Sequence, residues 1–152
     1  MSEHSVAHGT FVVERDFPHP VGRVFSAWAD PQKKAVWFGD PNEVTPAQVF
    51  DFRPGGMESS SGQIPGGPSY SFDVTYQDIV PDHRILYTYD MHLDGRKISV
   101  SLASVEFTPM GKGTHLRLTE YGLFLDGLDN VEQRRAGTIP MIEELGKFLD
   151  KE

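Results

Sequence analysis

Glu120 is the residue whose position is hardest to explain without chemistry. The run Thr114 to Tyr121 alternates, with Thr114, Leu116 and Leu118 on one face and His115, Arg117 and Thr119 on the other, so Glu120 falls on the apolar parity. A carboxylate set there is partly desolvated and its pKa rises, so it could anchor a ligand amine or hydroxyl or act as a general base. Arg15 is the matching oddity at the other end of the chain, sharing a face with Phe11, Val13 and Phe17. It must be paired or lead its head to water, because an unpaired buried charge costs several kcal/mol.

A second set of residues could surround a ligand. Tyr70, Phe72 and Tyr76 alternate along one run, and Tyr87, Tyr89 and Met91 along the next, so each run presents a largely aromatic face. Met141 and Leu145 face them from the C-terminal segment. Apolar walls with a few hydroxyls to orient a guest are typical of small-molecule pockets, and a filled core is the competing reading for every one of these residues.

Other chemistries find little support. The histidines are scattered, and only His4 and His8 have a ligand-like spacing, in a stretch read as frayed; no metal and no cofactor are expected. With no cysteine there is neither a thiol nucleophile nor a disulfide. No Gly-x-Ser-x-Gly elbow occurs, and the Gly-rich stretch Ser59 to Pro68 lacks the lysine and the strand-to-helix setting of a phosphate loop.

The elements that must position these residues are legible in outline. Thr10 to Phe17 reads as a strand. Pro20 opens a helix with Val21, Val24, Phe25 and Trp28 on one face, and Asp30-Pro31 caps a second short helix through Trp37 and Phe38 to Gly39. Pro46 to Arg53 reads as a strand closing on Pro54-Gly55-Gly56, and Ser59 to Pro68 as a mobile loop at the sheet's rim. A meander of three strands follows, with a bulge expected near Ala103-Ser104, where the parity changes from Ile98, Val100 and Leu102 to Val105 and Phe107. The last strand leads to a helix from Asn130 to Leu149 whose apolar positions Val131, Ile142, Leu145 and Leu149 recur at helical spacing; Pro140 should kink it or mark the start of its regular part.

Composition bounds the rest. The 152 residues suit one domain, read as a flexible N-terminus over 1–9 and a single α+β unit over 10–152. Fourteen basic against 22 acidic side chains give a net charge of −8, which repels phosphate backbones and anionic lipid surfaces, so neither nucleic acid nor membrane is an expected partner. The pairs Lys33-Lys34 and Arg134-Arg135 read as solvated helix faces. No apolar run approaches the roughly 20 residues that span a bilayer, and Met1 to Gly9 does not read as a secretion signal, so the cytoplasm is the expected compartment.

Taken together, Arg15-Asp16-Phe17, Pro20 with Val24-Phe25, Ala27-Trp28, Asp30-Pro31, Trp37, Asp51-Phe52-Arg53-Pro54-Gly55-Gly56, Ile79-Val80-Pro81 and Thr114 to Glu120 form a pattern. It resembles the family named for the activator of the heat-shock protein 90 ATPase, within the helix-grip superfamily of START-related and birch-pollen-allergen-like (SRPBCC) proteins. The resemblance implies a curved antiparallel sheet around the long C-terminal helix, with two short helices between the first two strands and a cavity between sheet and helix. It makes the first and last strands neighbours, so that Arg15 and Glu120 could meet on the concave face, with a structural ion pair as the competing reading. It also puts Trp37 and Phe38 near the cavity mouth, together with the turn that follows Phe52. Relatives often carry Gly-Trp where this chain has Gly137-Thr138, which implies a smaller and wetter wall there.

The leading expectation is a binding protein for a small hydrophobic or aromatic molecule, with Trp37, Phe52, the five aromatic wall residues, Met91, Glu120, Met141 and Leu145 as its contacts. An enzyme of cyclase, aromatase or hydrolase type using Glu120 and the cavity tyrosines is the alternative. A chaperone-interacting regulator ranks below both, because the eukaryotic activator also relies on a separate N-terminal domain for which this length leaves no room. Monomer and homodimer both stay open, the latter through an edge strand or the outer sheet face at Leu86.

Overall fold

Alternating apolar residues give the protein a sheet with one buried face. The computed structural model describes residues 4–38 and 47–152. Strand β1 (Val6–Phe17) is followed by helices α1 (Val21–Ala29) and α2 (Pro31–Trp37). Then come β2 (Val49–Phe50), β3 (Met57–Gln63), β4 (Ser69–Val80), β5 (Arg84–Leu93), β6 (Arg96–Met110), β7 (Gly113–Leu125) and the long helix α3 (Val131–Lys151). Every pairing is antiparallel, and the sheet order is β1-β7-β6-β5-β4-β3-β2. The chain meanders from β2 to β7 and β1 closes beside β7, so the sheet grips α3 in an α+β helix-grip arrangement.

Local sequence explains the element ends. The Asp30 carboxylate accepts from the amides of Gln32 and Lys33 at 2.9 and 3.4 Å, with Pro31 in the first turn, where no amide hydrogen is needed. Pro20 is the cap of α1 rather than its first residue, with an extended ψ of 151°. Asn130 caps α3 by accepting from Gln133 N at 2.9 Å, and the helix runs on through the exposed Pro140. Two glycines let α3 lie close on β1: a Cβ at Gly9 would come within 2.8 Å of the Val131 side chain, and one at Gly146 within 3.2 Å of the Arg15 guanidinium. Ile142, Leu145 and Leu149 of α3 then pack into a core shared with Phe11, Phe17 and Leu116 of the sheet and Val24 and Trp28 of α1.

Several boundaries differ from the sequence reading. β1 starts at Val6, pairing with Leu125, so residues 6–9 belong to the sheet. Of the strand expected from Pro46 to Arg53, only Val49–Phe50 pairs; Pro46 lies outside the described residues, as does Gly39 at the expected helix end. Asp51 to Gly56 instead turns so tightly that a Cβ at Gly56 would overlap the Asp51 carbonyl. The Ser-rich run expected in a loop is strand: Ser59 to Gln63 pairs with Asp73 to Ser69, which leaves only residues 64–68 to connect β3 and β4.

No bulge occurs at Ala103-Ser104, where β6 pairs without a break on both sides. The register shifts lie at Gln77 and opposite Ile98, between Met91 and His92. The inner face of β6 is Ser99, Ser101, Ala103, Val105 and Phe107, all buried. Two inward serines imitate an outward face, and that is why the parity seemed to change midway.

Helix α2 is fastened by charge. Lys34, read from sequence as solvated, is 8% exposed and donates to Glu58 Oε1 at 2.8 Å, and the Tyr76 hydroxyl donates to the same oxygen. Its neighbour Lys33 turns outward to Glu152 at 3.0 Å. Replacing Lys34 with Met strands a buried carboxylate and is expected to cost about 3 kcal/mol. Adding Glu58→Gln, which keeps an acceptor for Tyr76, should return most of that loss. Urea unfolding of the single and double variants measures both, and a double variant no more stable than the single one would contradict the pairing argument.

Candidate functional site

Between the inner face of the sheet and the helices lies a cavity of about 420 Å³. β4 contributes Tyr70, Phe72, Val74 and Tyr76, and β5 contributes Ile85, Tyr87, Tyr89 and Met91. The alternation of both strands aims these side chains the same way. Leu118 and Glu120 come from β7, and Arg134, Gly137, Thr138 and Met141 from α3. Trp28, Lys34, Phe38 and Phe52 close one side, and Gln63 at the end of β3 reaches over with Ile64 and Pro65 of the β3–β4 connection.

The cavity has a charged group near each end of its aromatic wall. At the α2 end stands Lys34, held by Glu58 as described. At the other end Glu120 is 4% exposed and its Oε1 accepts from the Tyr89 hydroxyl. Arg134 Nη1 donates to that same hydroxyl oxygen at 2.7 Å, while its Nη2 donates to Ser99 Oγ and to Asp129 Oδ2, each at 2.7 Å. Burial pushes the Glu120 carboxyl above its ordinary range; the Tyr89 hydrogen bond and the Arg134 charge oppose this without cancelling it, and Asp129 adds to it. Tyr76, Tyr87 and Tyr89 are all raised, chiefly by burial and then by the neighbouring carboxylates, Glu58 for the first and Glu120 for the other two. Burial alone would lower the Arg134 pKa, but Tyr89, Asp129 and Glu120 hold it above its usual value.

Residues 18–151 match the sequence profile of the family described as Activator of Hsp90 ATPase homolog 1-like protein. The chain belongs to that family. A solved structure of a Rhizobium leguminosarum protein is 38% identical, covers 99% of this chain and 100% of its own, and superposes with a TM-score of 0.92. A Rhizobium loti protein is 42% identical over 95% of this chain and 99% of its own, with a TM-score of 0.88. A Chromobacterium violaceum protein shares the fold at 22% identity, over 92% of this chain and 96% of its own, with a TM-score of 0.79. None of the curated proteins matches the sequence.

In this member of the Activator of Hsp90 ATPase homolog 1-like family, Phe52, Tyr70, Phe72, Tyr76, Tyr87, Tyr89, Met91, Glu120 and Met141 all line the cavity. Trp37 and Leu145 do not. Trp37 is buried against Trp28, its indole donating to the Ala27 carbonyl at 3.0 Å, so it joins the two short helices rather than facing a guest. Leu145 lies one turn beyond Met141, where sheet and α1 close on the helix and its side chain is fully buried in the core. The expected Arg15–Glu120 pair does not form either. The residue opposite Glu120 on β1 is Phe11, and Arg15, opposite Leu116, runs its exposed head over the Phe17 ring at 5.7 Å.

The cation serving Glu120 is Arg134, which sequence reasoning had assigned to a solvated face. A signal was present: Arg134, Thr138, Met141 and Leu145 recur at i, i+4, i+7 and i+11, one helix face, whereas Arg135 is exposed. Gly137 and Thr138 both line the cavity, and a Cβ on Gly137 would meet nothing within 4 Å, so the roof is open there. Among the described residues no cluster of three His, Asp or Glu side chains could hold a metal ion, and no helix is long and apolar enough to cross a membrane.

The Glu120 carboxyl gives a signed pH dependence. Its folded-state pKa lies above the ordinary 4.5, so its contribution to stability is fully present below that value and is lost as pH rises through the folded pKa. Glu120→Gln is therefore expected to melt higher than the native chain at neutral pH, with the gain shrinking toward zero below pH 4.5. Thermal melts across that range check it, and a gain that does not vary with pH would contradict it.

Proposed function

We propose that the protein binds a small, largely apolar aromatic molecule between its sheet and α3. The observation that carries this reading is the cavity itself: about 420 Å³ of space walled by aromatic side chains, within the roughly 300–1,000 Å³ typical of small-molecule sites. Voids of this size are uncommon at native packing density, which supports a cavity kept for a guest. Fixed polar groups at the two ends of an otherwise apolar wall are what orientation of a guest requires.

Catalysis by Glu120 is the second reading, favoured by one observation: a desolvated carboxylate with a raised pKa lines the cavity. The tyrosines lend it little. Burial and nearby carboxylates keep Tyr76, Tyr87 and Tyr89 protonated, so none is available as a base or nucleophile at neutral pH. Positioning and hydrogen bonding are the roles left to them, and these serve binding directly.

The test uses a neutral fluorescent apolar probe, phenylnaphthylamine, together with native mass spectrometry of gently purified protein. The native chain is expected to bind the probe and to release any co-purified small molecule on denaturation. Thr138→Trp, which fills the roof, should keep a cooperative melt and weaken probe binding about tenfold or more. Equal binding by a folded Thr138→Trp variant would remove the cavity as the site.

A further inference from the structure

Most polar groups of the cavity are already engaged, and the few that are not define the guest. Arg134 spends Nη1 on Tyr89 and Nη2 on Ser99 and Asp129. Lys34 is held by Glu58, and the Thr138 hydroxyl donates to the Arg134 carbonyl at 2.8 Å. Glu120 has one hydrogen-bond partner, Tyr89, and that bond falls on Oε1. Its second oxygen is uncommitted. The Tyr87 hydroxyl is likewise without a hydrogen bond among the described residues, as are the Tyr70 hydroxyl on β4 and the buried Trp28 Nε1 on α1.

Sheet register brings Glu120 and Tyr87, alone among these groups, to one row. Tyr87 pairs with Ala103, and Ala103 with Glu120, so the three stand in one row across β5, β6 and β7 on the inner face. Only the methyl of Ala103 lies between the longer side chains. The next row repeats the device with Tyr89, Ser101 and Gly122. Small residues on β6 thus stand between an acceptor on one flank of the row and a hydroxyl on the other.

Charge decides what fits. An anionic head would meet Glu120 with Asp129 behind it, and Arg134 already answers those two carboxylates. A cationic head would be set beside the like charges of Arg134 and Lys34, which already stand 5.6 Å from the Tyr89 ring and 4.5 Å from the Phe38 ring. A neutral hydroxyl suits both free groups, donating to Glu120 Oε2 and accepting from Tyr87.

Building on the binding role argued above, we propose that the guest is a phenol or aromatic alcohol whose hydroxyl seats between Glu120 and Tyr87, and that the site discriminates against the corresponding carboxylic acid. The head is read at Glu120 and the aromatic body lies along the tyrosine wall toward Phe72 and Phe52.

Competition against bound phenylnaphthylamine by naphthalene, naphthol and naphthoate tests this at neutral pH on the native chain. Naphthol is expected to bind about tenfold tighter than naphthalene, as hydrogen bonds to Glu120 and Tyr87 together imply, and naphthoate more weakly than naphthalene. Glu120→Gln should cut the naphthol advantage over naphthalene to about threefold or less and admit naphthoate. If naphthalene competes but naphthol is no tighter, or naphthoate binds as well, the hydroxyl assignment is overturned while the pocket stands. If none of the three competes, the binding role falls with it. The wild-type comparison decides the matter even should the variant fail to fold.

Discussion

The Arg134 side chain is largely buried, and a guanidinium so placed must be answered by close partners. Its partners come from three strands and the turn before its own helix: Tyr89 on β5, Ser99 on β6, Glu120 on β7 through the Tyr89 hydroxyl, and Asp129 ahead of the Asn130 cap. That requirement fixes the rotation and height of α3 over the sheet. Apolar contacts at Ile142, Leu145 and Leu149 could tolerate some sliding of the helix, since hydrophobic burial is not directional. A charge with three named hydrogen-bond acceptors cannot. Hence a serine on the inner face of β6 and a carboxylate on the apolar parity of β7 are linked consequences of one side chain.

The far end of α3 is fixed by different means. Arg23 of α1 donates to the Leu149 carbonyl at 2.9 Å and to Glu152 at 3.2 Å, and His19 lies 2.8 Å from Asp150. These contacts are more exposed, and each is worth little by itself, but they fall at the helix C-terminus, where positive side chains also suit the helix dipole. With both ends held, the middle of α3 passes over the cavity at Gly137 and Thr138 without needing to rest on the sheet.

Much of this was legible in the sequence where structure follows from local periodicity. Alternation in β4, β5 and β7 gave the faces of the strands and with them most of the cavity wall; Asp30-Pro31 and Asn130 announced their helices. Legibility failed where a polar residue sits on an inner face because of a distant partner. Ser99, held by Arg134, disguised the parity of β6 together with the unpartnered Ser101, and Lys34 and Arg134 looked like surface charges because Glu58 for the one and Tyr89 and Ser99 for the other are brought to them by tertiary folding. Arg15 and Glu120 invited pairing as the two visible anomalies. Glu120 instead takes its cation from a helix, and Arg15 is long enough to reach water past Gly146.

Two buried carboxylates each accepting from a tyrosine also set the chemical character of the wall. Removing a proton from Tyr76 or Tyr89 would place a second negative charge against Glu58 or Glu120 in a poorly hydrated space, so burial and Coulomb repulsion act in the same direction. The hydroxyl protons are thereby pinned, and with them the direction of every hydrogen bond in the network: Arg134 to Tyr89, Tyr89 to Glu120, Tyr76 to Glu58. A guest of the proposed kind would meet a surface whose donors and acceptors are assigned in advance. Selectivity among heads of similar size would then follow from proton position rather than from shape.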